Sequence, residues 1–455
     1  MSRSGTYQVI VIGAGPAGEV AAGRLAEQGK SVAIVERHLV GGECSYYACI
    51  PSKALLRPGD VLAEVRRVPG AAEAVGGHLD VGTALRRRDE LIGGLDDSGQ
   101  LPWLEDRGIE VVRGVARFTA EREVTVGDEV LRAKDAVIIA TGSSAAIPPA
   151  LADVNPWTNR EVTTADRIPA RLAIVGGGVV AVEMADAYTA FGARVTLIVR
   201  DERLLAREEG FAGELVGAAL ADKGVDLRFK TNVASAQRTD SVKLSLDDRT
   251  DLVVDEVLAA TGRVPNTDAL ELGTVGVEPD QLGYVPTDDE LRVPGTDWLY
   301  AIGDANGRNL LTHEGKYQGR VVADLISGRS SRAPRLGSPP TRVIFTDPQV
   351  AAIGHTETSA ARAGLEVTVH DIDLESTAGS SYIGRGAGGR IRGLVDPHRS
   401  VMVGLTVVGP EVSEMLHAAT IAIVGEVPLS TLAHAVPAFP TRNEIWLGLL
   451  AAAGH

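Results

Sequence analysis

The chain has 455 residues, 44% of them hydrophobic and 23% charged, with a formal net charge of −15. Such a composition fits a globular protein of about three domains, and the acidity argues against nucleic acid, whose binding needs lysine and arginine on phosphates. No run of about 20 apolar residues and no leader-like segment stands out, so no membrane association and a cytoplasmic setting are expected. Short β-branched runs alternate with alanine-rich amphipathic stretches, the signature of βαβ units and parallel sheet.

The first unit runs from Val9 to Arg37. A strand over Val9–Ile12 enters Gly13-Ala14-Gly15-Pro16-Ala17-Gly18, which opens a helix. That context gives a G-x-G-x-x-G loop its meaning: the glycines let backbone approach a pyrophosphate, which then sits on the helix N-terminus. Glu36 ends the following strand, where a carboxylate accepts hydrogen bonds from ribose hydroxyls.

Cys44 and Cys49 come next, and they are the only two cysteines in the chain. They lie in Gly41-Gly42-Glu43-Cys44-Ser45-Tyr46-Tyr47-Ala48-Cys49-Ile50-Pro51-Ser52-Lys53. Five helical residues advance about 7.5 Å, whereas a disulfide needs Cα atoms within roughly 7 Å. A bridge between them therefore requires a distorted turn at a helix start, which suits an easily reduced bond. In a cytoplasmic protein a close cysteine pair is more often catalytic than structural.

A second unit of the same design spans Leu172–Arg200, with Gly176-Gly177-Gly178-Val179-Val180-Ala181 as its turn. Val199 stands where the first unit has Glu36, and Arg200 follows it. The ribose acid is missing and a guanidinium is ready for a 2′-phosphate, with Arg203 and Arg207 nearby, so NADPH is the expected partner and NADH an accepted one. A further nucleotide-type segment, Leu299–Asp304, appears only after this unit. The fold class is therefore α/β, with two Rossmann-like nucleotide-binding domains and a C-terminal α+β domain. The expected boundaries are 1–149 with 279–335 for the interrupted first domain, 150–278 for the second, and 336–455 for the third. The Pro/Gly/Ser-rich stretch 327–340 reads as a linker.

Taken together, these motifs resemble the FAD-dependent pyridine nucleotide–disulfide oxidoreductases, such as glutathione reductase, dihydrolipoamide dehydrogenase and mercuric reductase. The resemblance extends over nearly the whole chain. It takes in the first glycine loop, the C-x4-C-x-P-S-K run, Ala140-Thr141-Gly142, the second glycine loop and Ala260-Thr261-Gly262-Arg263-Val264-Pro265-Asn266. It continues through Ile302-Gly303-Asp304 and Val343–Pro348, where the dimer-interface domain of such proteins begins. The resemblance implies that Cys49 is the flavin-facing thiolate and Cys44 the outer sulfur that attacks substrate. It implies that Lys53 pairs with Glu183 beside the flavin, that Asp304 binds the ribityl chain, and that a helix beginning at Thr312 and His313 turns its N-terminus to the flavin ring. Further FAD contacts are implied at Gly13, Gly15, Pro16, Ala17, Gly18, Glu36, Arg37, Gly42, Glu43, Ala140, Thr141, Gly142, Gly303 and Leu311. Others are implied at Gly176, Gly178, Val179, Arg200, Gly262 and Arg263. His313 itself is expected to be a bystander.

The resemblance breaks near the C-terminus. Most of the family carries His-Pro-Thr-x-x-x-Glu there, supplied by the partner subunit of a homodimer to complete its active site. Here the stretch is Phe439-Pro440-Thr441-Arg442-Asn443-Glu444. A phenyl ring transfers no protons, and general acid–base catalysis contributes about 10²–10⁴-fold. Glu444 keeps its place without its usual partner, and His434 reads as a surface histidine. Tyr46 and Ala48 also depart from the Asn and Gly usual in the cysteine loop, and Tyr46 and Tyr47 either stack on a flat substrate or simply pack. The leading expectation is an oxidoreductase passing electrons from NADPH through flavin and the Cys44–Cys49 disulfide to a small disulfide or other electrophile. The alternatives are a quinone reductase that bypasses the cysteines, and a reductase/carboxylase resembling 2-ketopropyl coenzyme M oxidoreductase/carboxylase.

Overall fold

The structure is a computed structural model that describes residues 4–329 and 339–455. Most of the expected linker 327–340 lies outside the described residues. The chain divides into two compact units, one drawn from Met1–Pro51, Arg88–Ala146 and Gly262–Gly337, the other from Ser52–Arg87, Ile147–Thr261 and Ser338–His455.

In the first unit five strands run parallel in the order Glu110–Arg113, Val32–Glu36, Ser4–Ile12, Glu129–Ile139, Leu299–Ala301. The long strand Glu129–Ile139 is shared. Its first half pairs antiparallel with Glu123–Val126, which turns back to Ala116–Ala120, while its second half pairs with Leu299–Ala301. Val9, Ile10, Val11 and Ile138 are buried on both sheet faces, as parallel strands covered on both sides require. Strand order reverses between Ser4–Ile12 and Glu129–Ile139, and in such sheets ligands bind beyond the carboxyl ends of the strands at that reversal. Both nucleotide-type motifs, at Gly13 and Ala140, begin there.

Two helices of this unit pack unusually close. Ala17 of the helix Pro16–Glu27 meets Gly303 and Gly315, and a Cβ at Gly319 would press on the Ala17 carbonyl. Gly315 and Gly319 belong to the helix Thr312–Ile326, whose far end is tied back by Arg24 to Asp324 at 2.7 Å. Small residues thus set two parallel helices side by side with their N-termini together.

The second unit repeats the design on a smaller scale. Its parallel sheet runs Asp226–Phe229, Arg194–Val199, Arg171–Val175, Glu256–Ala259, with the helix Val179–Ala190 crossing between the two central strands. A three-stranded antiparallel sheet, Val233–Arg238, Val242–Leu246 and Asp251–Val254, accompanies it. The C-terminal part builds a five-stranded antiparallel sheet ordered Arg342–Ile344, Gln349–Gly354, Val401–Gly409, Arg390–Asp396, Thr368–Asp373. The helices Leu416–Val424 and Ile445–Ala452 close its core through Leu416, Ala419, Ile445 and Leu449. The mixed α/β architecture follows the expected fold class. Among the described residues no helix is long and apolar enough to cross a membrane.

Candidate active site

The first glycine loop has the geometry its sequence implies. Gly13 has φ +106°, and a Cβ there would collide with the carbonyl oxygen of Ala140. A Cβ at Gly18 would strike the Gly13 carbonyl, so this glycine lets the helix Pro16–Glu27 start hard against the strand. Gly15, the residue capping that helix, has nothing within 4 Å of its Cβ position. Open space over a helix N-terminus flanked by glycine is an anion cradle. Glu36 ends its strand and accepts hydrogen bonds from the backbone N–H of Ala14 at 2.8 Å and of His38 at 2.7 Å. Thr141, in the Ala-Thr-Gly turn beside the loop, buries a hydroxyl with no hydrogen-bond partner. A dinucleotide fits these features: a cradle without side chains, an acid at a strand end and an orphaned hydroxyl.

The cysteine turn is distorted as its spacing requires. Cys44 lies in the short helix Gly42–Tyr46, the backbone leaves helical geometry at Tyr47 (φ −134°, ψ 1°), and Cys49 opens the helix Cys49–Arg67. Neither cysteine is in a disulfide, and both are half-buried. Cys49 Sγ lies 3.3 Å from Thr312 Oγ1 at the start of the helix Thr312–Ile326. The Cys44 thiol is pushed up, first by its hydrogen bond to Cys49 and then by burial. Tyr46 is 3% exposed and packs on Gly41; of the two roles open to it, packing is the one it has.

Arg263 ties three segments of this unit together. Its Nε donates to Ser143 Oγ at 2.6 Å, and Ser143 Oγ donates to Asp304 Oδ2 at 2.5 Å. The guanidinium also stands 3.8 Å from Glu43 in the cysteine turn and 3.7 Å from Asp304. Burial pushes the Asp304 carboxyl above the usual carboxylate range. The Gly303 turn is held by Gln318, whose Oε1 accepts from Gly303 N–H at 2.8 Å. Ser143 is invisible to motif reading, because its role depends on a strand pairing between Ser143–Ala145 and Arg263–Pro265.

In the second unit Gly176 has φ +138°, and a Cβ there would collide with the Ala260 carbonyl, repeating the first loop. Gly178, at the N-terminus of the helix Val179–Ala190, has open space over it. Arg200 follows the strand Arg194–Val199 with its side chain 79% exposed and Asp201 at 3.5 Å. Arg203 is engaged elsewhere: its guanidinium donates to the carbonyls of Ala206 and Glu208 and fixes its own loop. Lys53 and Glu183 form the expected pair, Nζ to Oε2 at 2.7 Å, with Glu183 only 4% exposed. Glu183 also accepts from the backbone N–H of Phe345 at 3.0 Å, and the Lys53 ammonium lies 4.8 Å from the Phe345 ring centre. One turn along the same helix, Asp186 accepts from Lys223 at 2.6 Å and from the Asp347 N–H at 2.8 Å.

Phe439 is 77% exposed, and Val436 beside it is 82% exposed. Glu444 Oε2 accepts from the Gly379 N–H at 3.2 Å, and His434 is exposed.

Residues 7–319 match the pyridine nucleotide-disulphide oxidoreductase family, and residues 340–448 match its dimerisation domain. The chain belongs to that family. It is 32% identical to a dihydrolipoyl dehydrogenase from Thermus scotoductus over 98% of this chain and 97% of the relative. It is 28% identical to a mercuric reductase from Staphylococcus aureus over 97% of this chain and 82% of that protein. In fold it is similar to the HOCl-induced flavoprotein disulfide reductase RclA from Escherichia coli, with a TM-score of 0.86 at 24% identity, covering 98% and 99% of the two chains. This member of the family is an FAD-dependent oxidoreductase that uses a pyridine nucleotide and acts through disulfide-type chemistry. Its dimerisation domain supports pairing with a second copy.

Proposed function

We propose that this oxidoreductase takes electrons from NADPH and delivers them through the Cys44–Cys49 pair to a small disulfide. The observation that carries the reading is the cysteine turn. Two unbridged thiols flank a broken helix; Cys44 is hydrogen-bonded to Cys49, which raises its pKa, and Cys49 faces the Thr312 hydroxyl. Bound FAD supplies two-electron transfer between the nicotinamide and the cysteine pair. The chain's own residues divide the remaining work. Glu36, Thr141 and the Gly13–Gly18 turn hold the nucleotide half, and Asp304, oriented by Ser143 and Arg263, holds the hydroxylated chain. Cys49 is the inner sulfur and Cys44 the outer one that attacks substrate. The Lys53–Glu183 pair holds a cation one helical turn beyond Cys49.

The pyridine nucleotide sits on the second glycine loop with its 2′-phosphate toward Arg200, an exposed guanidinium whose ion pair with Asp201 is loose, at 3.5 Å. The exposed Phe439 segment and Glu444 are contributed to the partner subunit of a homodimer, which works in the cytoplasm. Replacing Cys44 by Ser tests the reading. Turnover of a small disulfide should fall at least 100-fold while NADPH still reduces the flavin; unchanged disulfide turnover would overturn it. Reduction of quinones is a second reading that rests on Phe439 alone, because that chemistry needs no proton donor at the sulfurs.

A further inference from the structure

The segment 200–209 joins the strand Arg194–Val199 to the helix Gly210–Asp222 and lies directly on the second glycine loop. Leu205 donates its backbone N–H to the Gly177 carbonyl at 2.8 Å, and a Cβ at Gly177 would press on Val199 and Leu204. A Cβ at Gly213, one turn into the helix, would strike the Leu204 carbonyl. Leu205 itself has φ +51°, in the left-handed region. Residues other than glycine stay there only when their surroundings over-determine them.

The other end of the segment is gripped by the C-terminal part of the same unit. Glu208 and Glu209 are both buried. Arg342, opening the strand Arg342–Ile344, donates to the Glu208 carboxylate from Nε at 2.9 Å and from Nη2 at 3.1 Å, a forked geometry. Its Nη1 is seated on the Pro340 carbonyl at 2.7 Å. Glu209 accepts from the backbone N–H of Glu357 at 2.8 Å and from Arg392 at 3.2 Å. Arg392 also lies 5.4 Å from the ring centre of Phe211, which follows the segment. With Glu208 and Glu209 turned inward, Arg207 is exposed, as is Arg200 at the segment's start.

We propose that Arg342 and Glu208 are positioning residues for the pyridine nucleotide. Their ion pair fixes the segment 200–209 on the second glycine loop, so that its exposed guanidiniums, Arg200 first, stand ready for the 2′-phosphate. The proposal rests on the NADPH reading above. It adds that the dimerisation domain, which contributes Arg342, sets the preference between nucleotides. Binding to a segment already ordered costs less conformational entropy than binding to one that must first be ordered. Both residues act through the segment and not by touching the nucleotide.

The test uses the holoenzyme with ferricyanide as electron acceptor and reads kcat and KM for NADPH and NADH separately. Removing Arg342 alone would leave a buried carboxylate unpaired, a strongly destabilising change, so Arg342→Met/Glu208→Gln removes both charges. KM for NADPH should rise about tenfold, with kcat and KM for NADH little changed. Inhibition by adenosine 2′,5′-bisphosphate should weaken by the same factor and inhibition by 5′-AMP should not. Arg342→Lys keeps a cation opposite Glu208 but loses the fork, so it should show an intermediate preference. The control is Arg238–Glu256, a forked pair of the same unit at 2.9 Å with Glu256 also buried. Arg238→Met/Glu256→Gln should lower Tm and leave the nucleotide preference as it is. An unchanged ratio of NADPH to NADH efficiency in the folded Arg342 variants, or the same change in the control, would overturn the proposal. A wild-type protein without a preference for NADPH would instead overturn the NADPH reading, so the two failures are distinguishable.

Discussion

Thr312 Oγ1 stands 3.3 Å from Cys49 Sγ. The hydroxyl belongs to the first residue of a helix, so the Cys49 sulfur meets a hydroxyl able to donate a hydrogen bond and the positive end of a helix dipole together. Both favour a sulfur carrying negative charge. Thr312→Val keeps the shape and removes the donor. Alkylation of the reduced thiols should then shift to higher pH and slow several-fold at pH 7; an unchanged profile would show that the hydroxyl does not act on the sulfurs.

The Lys53–Glu183 pair makes a stability prediction. Glu183 is buried, and its acceptors are filled by Lys53 and the Phe345 amide. Lys53→Met leaves a buried carboxylate without its cation, which costs about 3 kcal/mol. Glu183→Gln removes the charge and keeps an acceptor for Phe345, so it should cost less. Urea unfolding of the two variants checks the order.

The proposed use of NADPH places a test on Arg200. Its side chain is exposed and contributes little to the fold, while a charge-assisted hydrogen bond to a phosphate is worth about 1.5–3 kcal/mol. Arg200→Ala should raise KM for NADPH by about 10–100-fold and leave KM for NADH nearly unchanged. Equal effects on both nucleotides would remove Arg200 from the site.

Asp60 gives the fold a pH dependence. Burial and the nearby Asp186 and Asp347 raise its pKa to about 7, with Arg57 and Lys223 opposing. An unfolded aspartate titrates near about 4, so the folded protein holds a proton that the unfolded chain has lost. The associated stability is present below about pH 4 and declines as pH rises through about 7. Asp60→Asn should therefore raise Tm at pH 8 and leave it little changed at pH 4, as thermal unfolding at the two pH values would show.

Much of this site is legible in the sequence because it is backbone chemistry. Gly13, Gly18 and Gly176 are glycine since a Cβ would strike a carbonyl, and Glu36 reports itself by standing at a strand end. The Lys53–Glu183 pair and the helix start at Thr312 are implied by the family resemblance, and the structure has an ion pair and a helix start at those residues. What escapes depends on three-dimensional register. Ala17 meets Gly315, and Arg24 meets Asp324, only because alanine and glycine let two distant helices pack closely, and Ser143 reaches Asp304 only through a strand pairing. Arg203 has the sequence position of a phosphate ligand and serves its own loop, a choice between solvent and carbonyl that no spacing rule makes. Tyr46 has two roles open to it in the sequence, and burial decides between them.

Whether electrons pass through Cys44 and Cys49 is tested most directly by an anaerobic titration of the purified protein with NADPH, following the flavin spectrum. If they do, a long-wavelength band from a thiolate beside oxidised flavin appears at two electrons and is absent in Cys49→Ser. Direct bleaching of the flavin without that band would contradict the relay and show that the cysteines are bypassed.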